Sequence, residues 1–452
     1  MIRWLYNLML WLLAPLWGVY LLTRILNGSW RERWWERFGF IPVSPTCSKR
    51  RLWVHCVSVG ETLAALPILK ALRHALPEHE IILTTTTPTG QSTAYDSAHE
   101  WVDAIAYFPL DFRFAVRNAL RRIQPDILVL FETELWLNLL AEQHTRGGLT
   151  MVVNGRLSDR SFQRAQWVRP LYRTLLQWID FVCAQSAVDA ARFVELGISP
   201  ARVEVCGNTK FDQALEATHT DASEWRRVLS LPPEAPVIVV GSTRTPEEEQ
   251  FVASAYRKVL EQLPQTCLVM APRHLERVSE LTALLQRCGW SPHLRSRLPL
   301  PEGQSAQVVV VDTFGELASL YAVADVAVVG GAFAPLGGQN LFQPLAHGKP
   351  VFFGPHTHNF RDIAQMAKAA GVGFEVAAPD TLAHGILELL THPDRRKEIE
   401  QTARALIQAH QGATHRTVEY ILRAWERHAQ RTAFRRAWER HAQRTAFRLP
   451  KS

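Results

Sequence analysis

LWVHCVSVGETLAALPILKALRHAL, residues 52–76, decides the fold. It runs from an unbroken apolar stretch into a helical pattern, with one carboxylate, Glu61, at the join. Apolar runs without polar alternation are the mark of strands buried on both faces, as in parallel sheets. Pro67 falls early in the helical pattern, and proline is tolerated mainly in a helix's first turn. The regular helix is therefore expected to begin near Leu66, with Glu61 on a turn that Gly60 permits. The positive potential of a helix start suits an acid there, and is expected to lower its pKa and keep it ionised.

The same strand-then-helix unit recurs along the chain. Apolar runs at 81–87, 104–108, 126–132, 150–154, 181–185 and 203–207 follow the first, most of them separated by helical stretches such as 66–76 and 115–123. A polar, proline-containing lapse ends in LPPEAP, and a second series begins at 237–243, 266–272, 308–313, 323–331 and 349–354. Repeated strand–helix alternation implies doubly wound parallel sheets. The expected domains are an N-terminal anchor over 1–26, a first α/β domain over 27–215, a linker over 216–235, a second α/β domain over 236–415 and a tail over 416–452. Ligands in such sheets bind at the carboxyl ends of the strands. The expected site is a cleft between the two domains.

The chain has 452 residues and a formal charge of +7, which admits an acidic partner. Much of that charge is local, however. RAWERHAQRTAFR occurs twice in succession, at 423–435 and 436–448, and each copy carries four Arg and one Glu. A 13-residue shift turns a helix by about 220°, so an apolar stripe in the first copy does not continue in the second. The repeat reads as a duplicated tail, and nothing favours a nucleic-acid partner. The six cysteines (Cys47, Cys56, Cys183, Cys206, Cys267 and Cys288) form no C-x-x-C pair and read as reduced thiols of a cytoplasmic protein.

Residues 4–22, WLYNLMLWLLAPLWGVYLL, hold no charged residue. As one helix they would span roughly 28 Å, close to a bilayer's hydrocarbon thickness of ~30 Å. Arg24, Arg31, Arg33 and Arg37 follow, and only Arg3 precedes. Flanks of that sign keep the downstream domains in the cytoplasm. A membrane anchor is expected, as a spanning helix in preference to one lying in the interface, although Trp11 in mid-run suits the interface better; the alternative, to which Asn7 and Pro15 point, is a helix buried inside the protein.

No phosphate-binding G-x-x-x-x-G-K-[ST] loop, dinucleotide G-x-G-x-x-G, H-E-x-x-H or G-x-S-x-G is present. What remains is a set of polar residues at strand ends. In the first domain these are Ser58, Glu61, Thr87 to Gly90, Glu132, Glu134, Asn154, Arg156 and Lys210. In the second they are Ser242 to Arg244, Pro272 to His274, Gly315 with Glu316, and Gly337 to Asn340.

VSVGETLAA, FPLDFRFAV, FETELWLN, NGRLSDRS, GNTKFD, APRHLER, DTFGEL and GPHTHNF, in this order, resemble the transferases of 3-deoxy-D-manno-octulosonic acid (Kdo), glycosyltransferase family 30. The resemblance runs from the N-terminal segment to about residue 415 and leaves out the duplicated tail. It implies a GT-B fold of two Rossmann-like domains, without cofactor or catalytic metal. The implied reaction is inverting transfer of Kdo from CMP-Kdo to the lipid A precursor, lipid IVA, at the cytoplasmic face of the inner membrane. By motif match Glu61 is the general base, and Glu132 and Lys210 support the transition state. Pro272, Arg273, Phe314, Gly315, Glu316, Asn340, Leu341, Phe342 and Gln343 match the CMP-binding segments. Gln343 stands where the family usually has Glu, and Leu137 where it usually has Pro. The rival readings are a membrane-associated GT-B enzyme using a UDP-sugar, a nucleotide-sugar 2-epimerase of the same fold, and a scaffold in which Glu61 only tops a helix.

Overall fold

The structure, a computed structural model, describes residues 2–26, 33–46, 49–216, 218 and 220–446, with 20, 21, 25 and 431–446 as helix backbone alone. Arg31, Cys47 and the side chains of the second repeat copy lie outside the described residues. The chain divides into two compact units, Met1–Asp212 with Gly412–Ser452, and Gln213–Gln411. Each is built on a seven-stranded sheet, and every pairing in both sheets is parallel.

The first sheet holds β1 (Arg51–Cys56), β2 (Glu80–Thr85), β3 (Ala104–Tyr107), β4 (Ile127–Phe131), β5 (Leu149–Gly155), β6 (Phe181–Ala184) and β7 (Val203–Val205), in the order β3-β2-β1-β4-β5-β6-β7. All six residues of β1 are buried. Leu52, Val54 and Cys56 face one cluster with Ile68, Leu69 and Leu72 of the helix Val59–Ala75. Trp53 faces the other with Phe108, Leu128 and Leu130. A fully buried Leu or Val contributes about 1.5–3 kcal/mol, so a strand with both faces covered is held by nearly every residue. The apolar continuity of the sequence has this origin.

The helix after β1 begins at Val59, not near Leu66, and Pro67 lies inside it. Gly60 is also not needed for a special turn. Its φ is ordinary and a Cβ there would meet nothing within 4 Å. The loss of one backbone bond at Pro67 is offset by burial of Ala64, Ala65, Pro67, Ile68, Leu69 and Leu72 along the same helix.

The second sheet holds β8 (Val237–Thr243), β9 (Cys267–Pro272), β10 (Pro292–Leu294), β11 (Val308–Val310), β12 (Val326–Val329), β13 (Val351–Phe353) and β14 (Gly373–Glu375), ordered β10-β11-β9-β8-β12-β13-β14. Residues 216–235 carry a helix, Ala222–Val228, and from Gln213 on belong to this unit. The long C-terminal helix Ala413–Ala446 returns to the first unit, where Ile421, Ala424 and Trp425 join its core. The first repeat copy is thus anchored by Ala424 and Trp425. The Trp425 ring meets His79 edge-on at 4.7 Å.

The apolar N-terminus is two helices, Ile2–Leu12 and Ala14–Leu26. The stretches Ile2–Leu12 and Ala14–Arg24 meet at 52°. Pro15 accounts for the break, since its ring and missing N–H disrupt a continuing helix. Among the described residues no single helix is long and apolar enough to cross a membrane.

Candidate active site

In the first sheet the strand order reverses between β1 and β4, the position at which open α/β sheets bind ligands. Glu61 follows β1 and Glu132 follows β4. Glu61 sits in the first turn of its helix behind Ser58. Its carboxylate folds back, with Oε2 accepting the Val57 N–H at 2.9 Å and Oε1 accepting the Ser58 hydroxyl at 3.2 Å. The acid thus ties down the chain just ahead of the helix, at Val57, while the cap residue Ser58 makes no side-chain cap bond of its own.

Its titration is the reverse of the expectation from the helix end. Burial, then the charge of Glu132, push the Glu61 carboxyl from 4.5 up to about 8, against the Val57 N–H and Ser58 bonds that pull it down. Desolvation and a like charge outweigh the helix-end potential. The same two carboxylates also act on Cys56, whose thiol is raised first by burial and then by Glu61 and Glu132. Glu134 is raised by burial and then by Glu132. Three acids therefore share this corner.

Lys210 brings the cation. Its Nζ donates to Glu132 Oε1 at 3.0 Å, and both side chains are partly accessible. Two features aim this pair. Glu132 has a left-handed backbone (φ 59°), held by its N–H to the Val153 carbonyl at 2.9 Å. Lys210 lies in the first turn of the helix Thr209–Glu216. The start of that helix is fixed by Asn154, whose Oδ1 accepts the Thr209 N–H at 3.1 Å from the end of β5. Asn154 is fully buried and also left-handed, at φ 52°. Asn tolerates that conformation better than most residues. Thr87 proves to be a helix cap, accepting the Gly90 N–H at 3.0 Å.

In the second unit the order reverses between β8 and β12. Pro272 ends β9, and the Arg273 N–H donates to Thr243 O at 2.8 Å. Phe314 is 69% exposed, and Gly315 takes φ 88°. Glu316 accepts Arg295 Nη2 at 3.0 Å and the Thr313 hydroxyl. Asn340 Oδ1 accepts the Phe342 N–H at 2.9 Å, shaping the turn into the helix Phe342–Ala346; its cap Leu341 and its first residue Phe342 are buried, and Gln343 is half-buried. These segments follow the carboxyl ends of β9, β11 and β12, three strands near the reversal. Backbone there approaches closely. A Cβ on Gly330 would lie 2.7 Å from the Thr243 Cα.

Glu248 escaped the sequence reading. It is 1% exposed and accepts the Arg244 N–H at 2.8 Å through Oε2 and the Phe333 N–H at 3.2 Å through Oε1. The signal was there in TPEE: Thr245 caps the helix and the acid stands three residues on. Glu248 repeats the Glu61 device after the corresponding strand of the second sheet, but with both oxygens bound by backbone. Among the described residues no group of three or more His, Cys, Asp or Glu is placed to hold a metal ion.

Two parallel sheets with ligand-type loops at each reversal define a two-domain Rossmann-like α/β enzyme of the GT-B kind. The UDP-GlcNAc 2-epimerase from Neisseria meningitidis bound to UDP-GlcNAc has this fold, with TM-score 0.59 over 82% of this chain and 100% of that one at 11% identity. The family model described as 3-deoxy-D-manno-octulosonic-acid transferase (kdotransferase) matches residues 32–213. The 3-deoxy-D-manno-octulosonic acid transferase of Bordetella pertussis is 37% identical over 92% of this chain and 98% of its own. That of Haemophilus influenzae is 30% identical over 93% and 98%. The chain belongs to the Kdo transferases, and it is a glycosyltransferase of lipopolysaccharide synthesis.

Proposed function

We propose that the chain transfers Kdo from CMP-Kdo to lipid IVA with inversion, Glu61 acting as general base. The observation that carries this reading is the half-buried Glu61 carboxylate, raised to about 8 at the reversal of the first sheet. A base whose pKa lies near the working pH combines a populated anion with real proton affinity. In the reaction the acceptor hydroxyl gives its proton to Glu61 as its oxygen bonds the anomeric carbon of Kdo. The bond from that carbon to the CMP phosphate oxygen breaks, and CMP leaves with the electron pair. Lys210, held by Glu132, and Arg273 are the cations suited to the charge that develops. Pro272, Phe314 to Glu316 and Asn340 to Gln343 are assigned to CMP, with Gln343 an acceptor that brings no charge. The acceptor is an amphiphile, which suits a chain whose N-terminus is apolar. We place the domains on the cytoplasmic side of the inner membrane, where CMP-sugars are made.

Incubation with CMP-Kdo and tetraacylated lipid A precursor, followed by mass spectrometry, tests the reaction. Growth of the product by whole Kdo units is expected. Transfer from UDP-GlcNAc instead would establish the UDP-sugar reading, and release of an epimerised nucleotide sugar the epimerase reading.

A further inference from the structure

Lys210 stands on a short tether. Three residues, Gly207 to Thr209, lead to it from Cys206 at the end of β7. That strand is three residues long, lies at the edge of the first sheet with β6 alone beside it, and has Glu204 and Val205 exposed. Asn154 holds Thr209 from β5, and Asn208 Oδ1 accepts the Lys210 N–H at 3.0 Å. Local bonds of this kind shape a turn. They do not fix where an edge turn stands, and a misplacement of ~1 Å can cost about 10²-fold in rate.

What holds both ends of the tether comes from the far end of the chain. Asp212 lies two residues past Lys210, in the first turn of the helix Thr209–Glu216. Its Oδ1 accepts the Gly412 N–H at 2.7 Å and its Oδ2 the Thr414 N–H at 2.6 Å. Both oxygens are spent on the start of the helix Ala413–Ala446, 200 positions on. Such bonds are charge-assisted, and the helix end adds its partial positive charge. From the same turn, Arg416 Nε donates to the Cys206 carbonyl at 2.8 Å. Cys206 and Asp212 bracket Lys210, and one helical turn grips them both. The approach is close. A Cβ on Gly207, whose φ is 94°, would lie 3.0 Å from Arg416 Nη2 and 3.2 Å from the Ala413 Cβ.

The same C-terminal helix braces the other half of the corner. It packs on Val59–Ala75, the helix that carries Glu61. Val418, Ile421 and Trp425 share one core cluster with Ala65 and Ile68. Acid and cation are thus referred to a single element, Glu61 through apolar packing and Lys210 through two polar ties. We infer that Asp212 and Arg416 are positioning residues for Lys210, through which the first turn of the C-terminal helix sets the Lys210 ammonium against Glu132. The inference rests on the role proposed above for Lys210.

A double-mutant cycle separates positioning from structural support. Asp212→Asn keeps one acceptor oxygen and Arg416→Lys keeps a donor, so each weakens a tie, whereas Arg416→Ala cuts one. Each is made in the wild type and in Lys210→Ala. Transfer from CMP-Kdo to tetraacylated lipid A precursor is measured, with thermal melts alongside. In the wild-type background Arg416→Ala should lower kcat by about ten-fold or more, with KM for CMP-Kdo within about two-fold. The two milder variants should lose less. The midpoint of the pH–rate profile should move upward as the Glu132 charge loses its partner. In the Lys210→Ala background the same changes should cost less than about two-fold, because residues that act through one group do not add. Where Arg416→Ala melts below the assay temperature, the two milder variants carry the cycle. Equal losses in both backgrounds, or full activity in folded Arg416→Ala and Asp212→Asn, would overturn the assignment and leave these residues as supports of the helix. A wild type that does not use CMP-Kdo would remove the reading of the reaction itself, and the assignment with it.

Discussion

Glu61→Gln separates the base from the cap. Gln keeps an acceptor oxygen for the Val57 N–H and removes the charge, so the helix start should survive. Two quantities then move. Loss of a positioned general base removes about 10²–10⁴-fold from the rate. Stability moves the other way, and depends on pH. The folded Glu61 titrates at about 8 instead of 4.5. A raised carboxyl pKa contributes stability that is present below the unfolded value and lost as pH climbs to the folded one. The full shift would cost the wild type about 3 kcal/mol at pH 7 and close to 5 kcal/mol above pH 8.5. Local relaxation and water entry reduce such figures, and on the order of 1–2 kcal/mol is expected to remain. The Gln variant should thus melt with the wild type near pH 4.5, above it at pH 7, and by a constant margin beyond pH 8.5. Paired thermal melts across that range, with kcat/KM measured alongside, make the assay. Wild-type kcat/KM should rise with a midpoint near 8. A melting difference that ignores pH, or a Gln variant within two-fold of wild-type activity, would refute the reasoning.

Lys210→Ala leaves the Glu132 charge uncompensated beside Glu61, so the rate should fall at least ten-fold and the midpoint of the pH–rate profile should move upward. Asn154→Ala removes the acceptor for the Thr209 N–H and puts at φ 52° a residue that tolerates the left-handed region less well than Asn, a cost of about 1–3 kcal/mol that denaturant unfolding would register. Trp425→Ala should destabilise the first unit by about 3–5 kcal/mol, whereas ending the chain after Arg435 should leave its melting temperature unchanged. Gln343→Glu should preserve or improve CMP-Kdo use, and a large rise in KM for CMP-Kdo would show a site rebuilt around Gln.

Fold class was legible because burial on both faces writes itself into sequence as unbroken apolar runs, and twelve such runs mark twelve of the strands. The two that escaped, Pro292–Leu294 and Gly373–Glu375, lie at the two edges of the second sheet and are three residues long. Neither lies in an apolar run: PHL and GFE each hold a polar residue within three positions. Glu61, Glu132 and Lys210 were legible as polar residues at strand ends and through resemblance, and the structure brings Glu132 and Lys210 into contact. Three things were not legible. The start of the Glu61 helix was misread because Pro67 outweighed packing that sequence does not display. The direction of the Glu61 shift comes first from burial and then from Glu132, 71 positions away in the chain, and neither shows in the local sequence. Asn7 of the N-terminal helix bonds Asn138, and no local pattern foretells a pair so distant.

The twin glutamates serve as a built-in reference. Corresponding strands of the two sheets, β1 and β8, are each followed by a helix whose third residue is a glutamate turned back on the chain. Beside β8 the neighbouring loop offers the Phe333 N–H, and both carboxylate oxygens are bound by backbone N–H groups. Beside β1 the neighbouring loop offers the anion Glu132 instead, and Oε1 holds only a rotatable serine hydroxyl. The two sites differ by one swap, a donor for an acceptor, on a common scaffold. Each carboxylate holds two donors, but those of Glu248 are fixed backbone N–H groups, whereas one of Glu61's is the Ser58 hydroxyl, which can rotate away and free Oε1 for another hydroxyl.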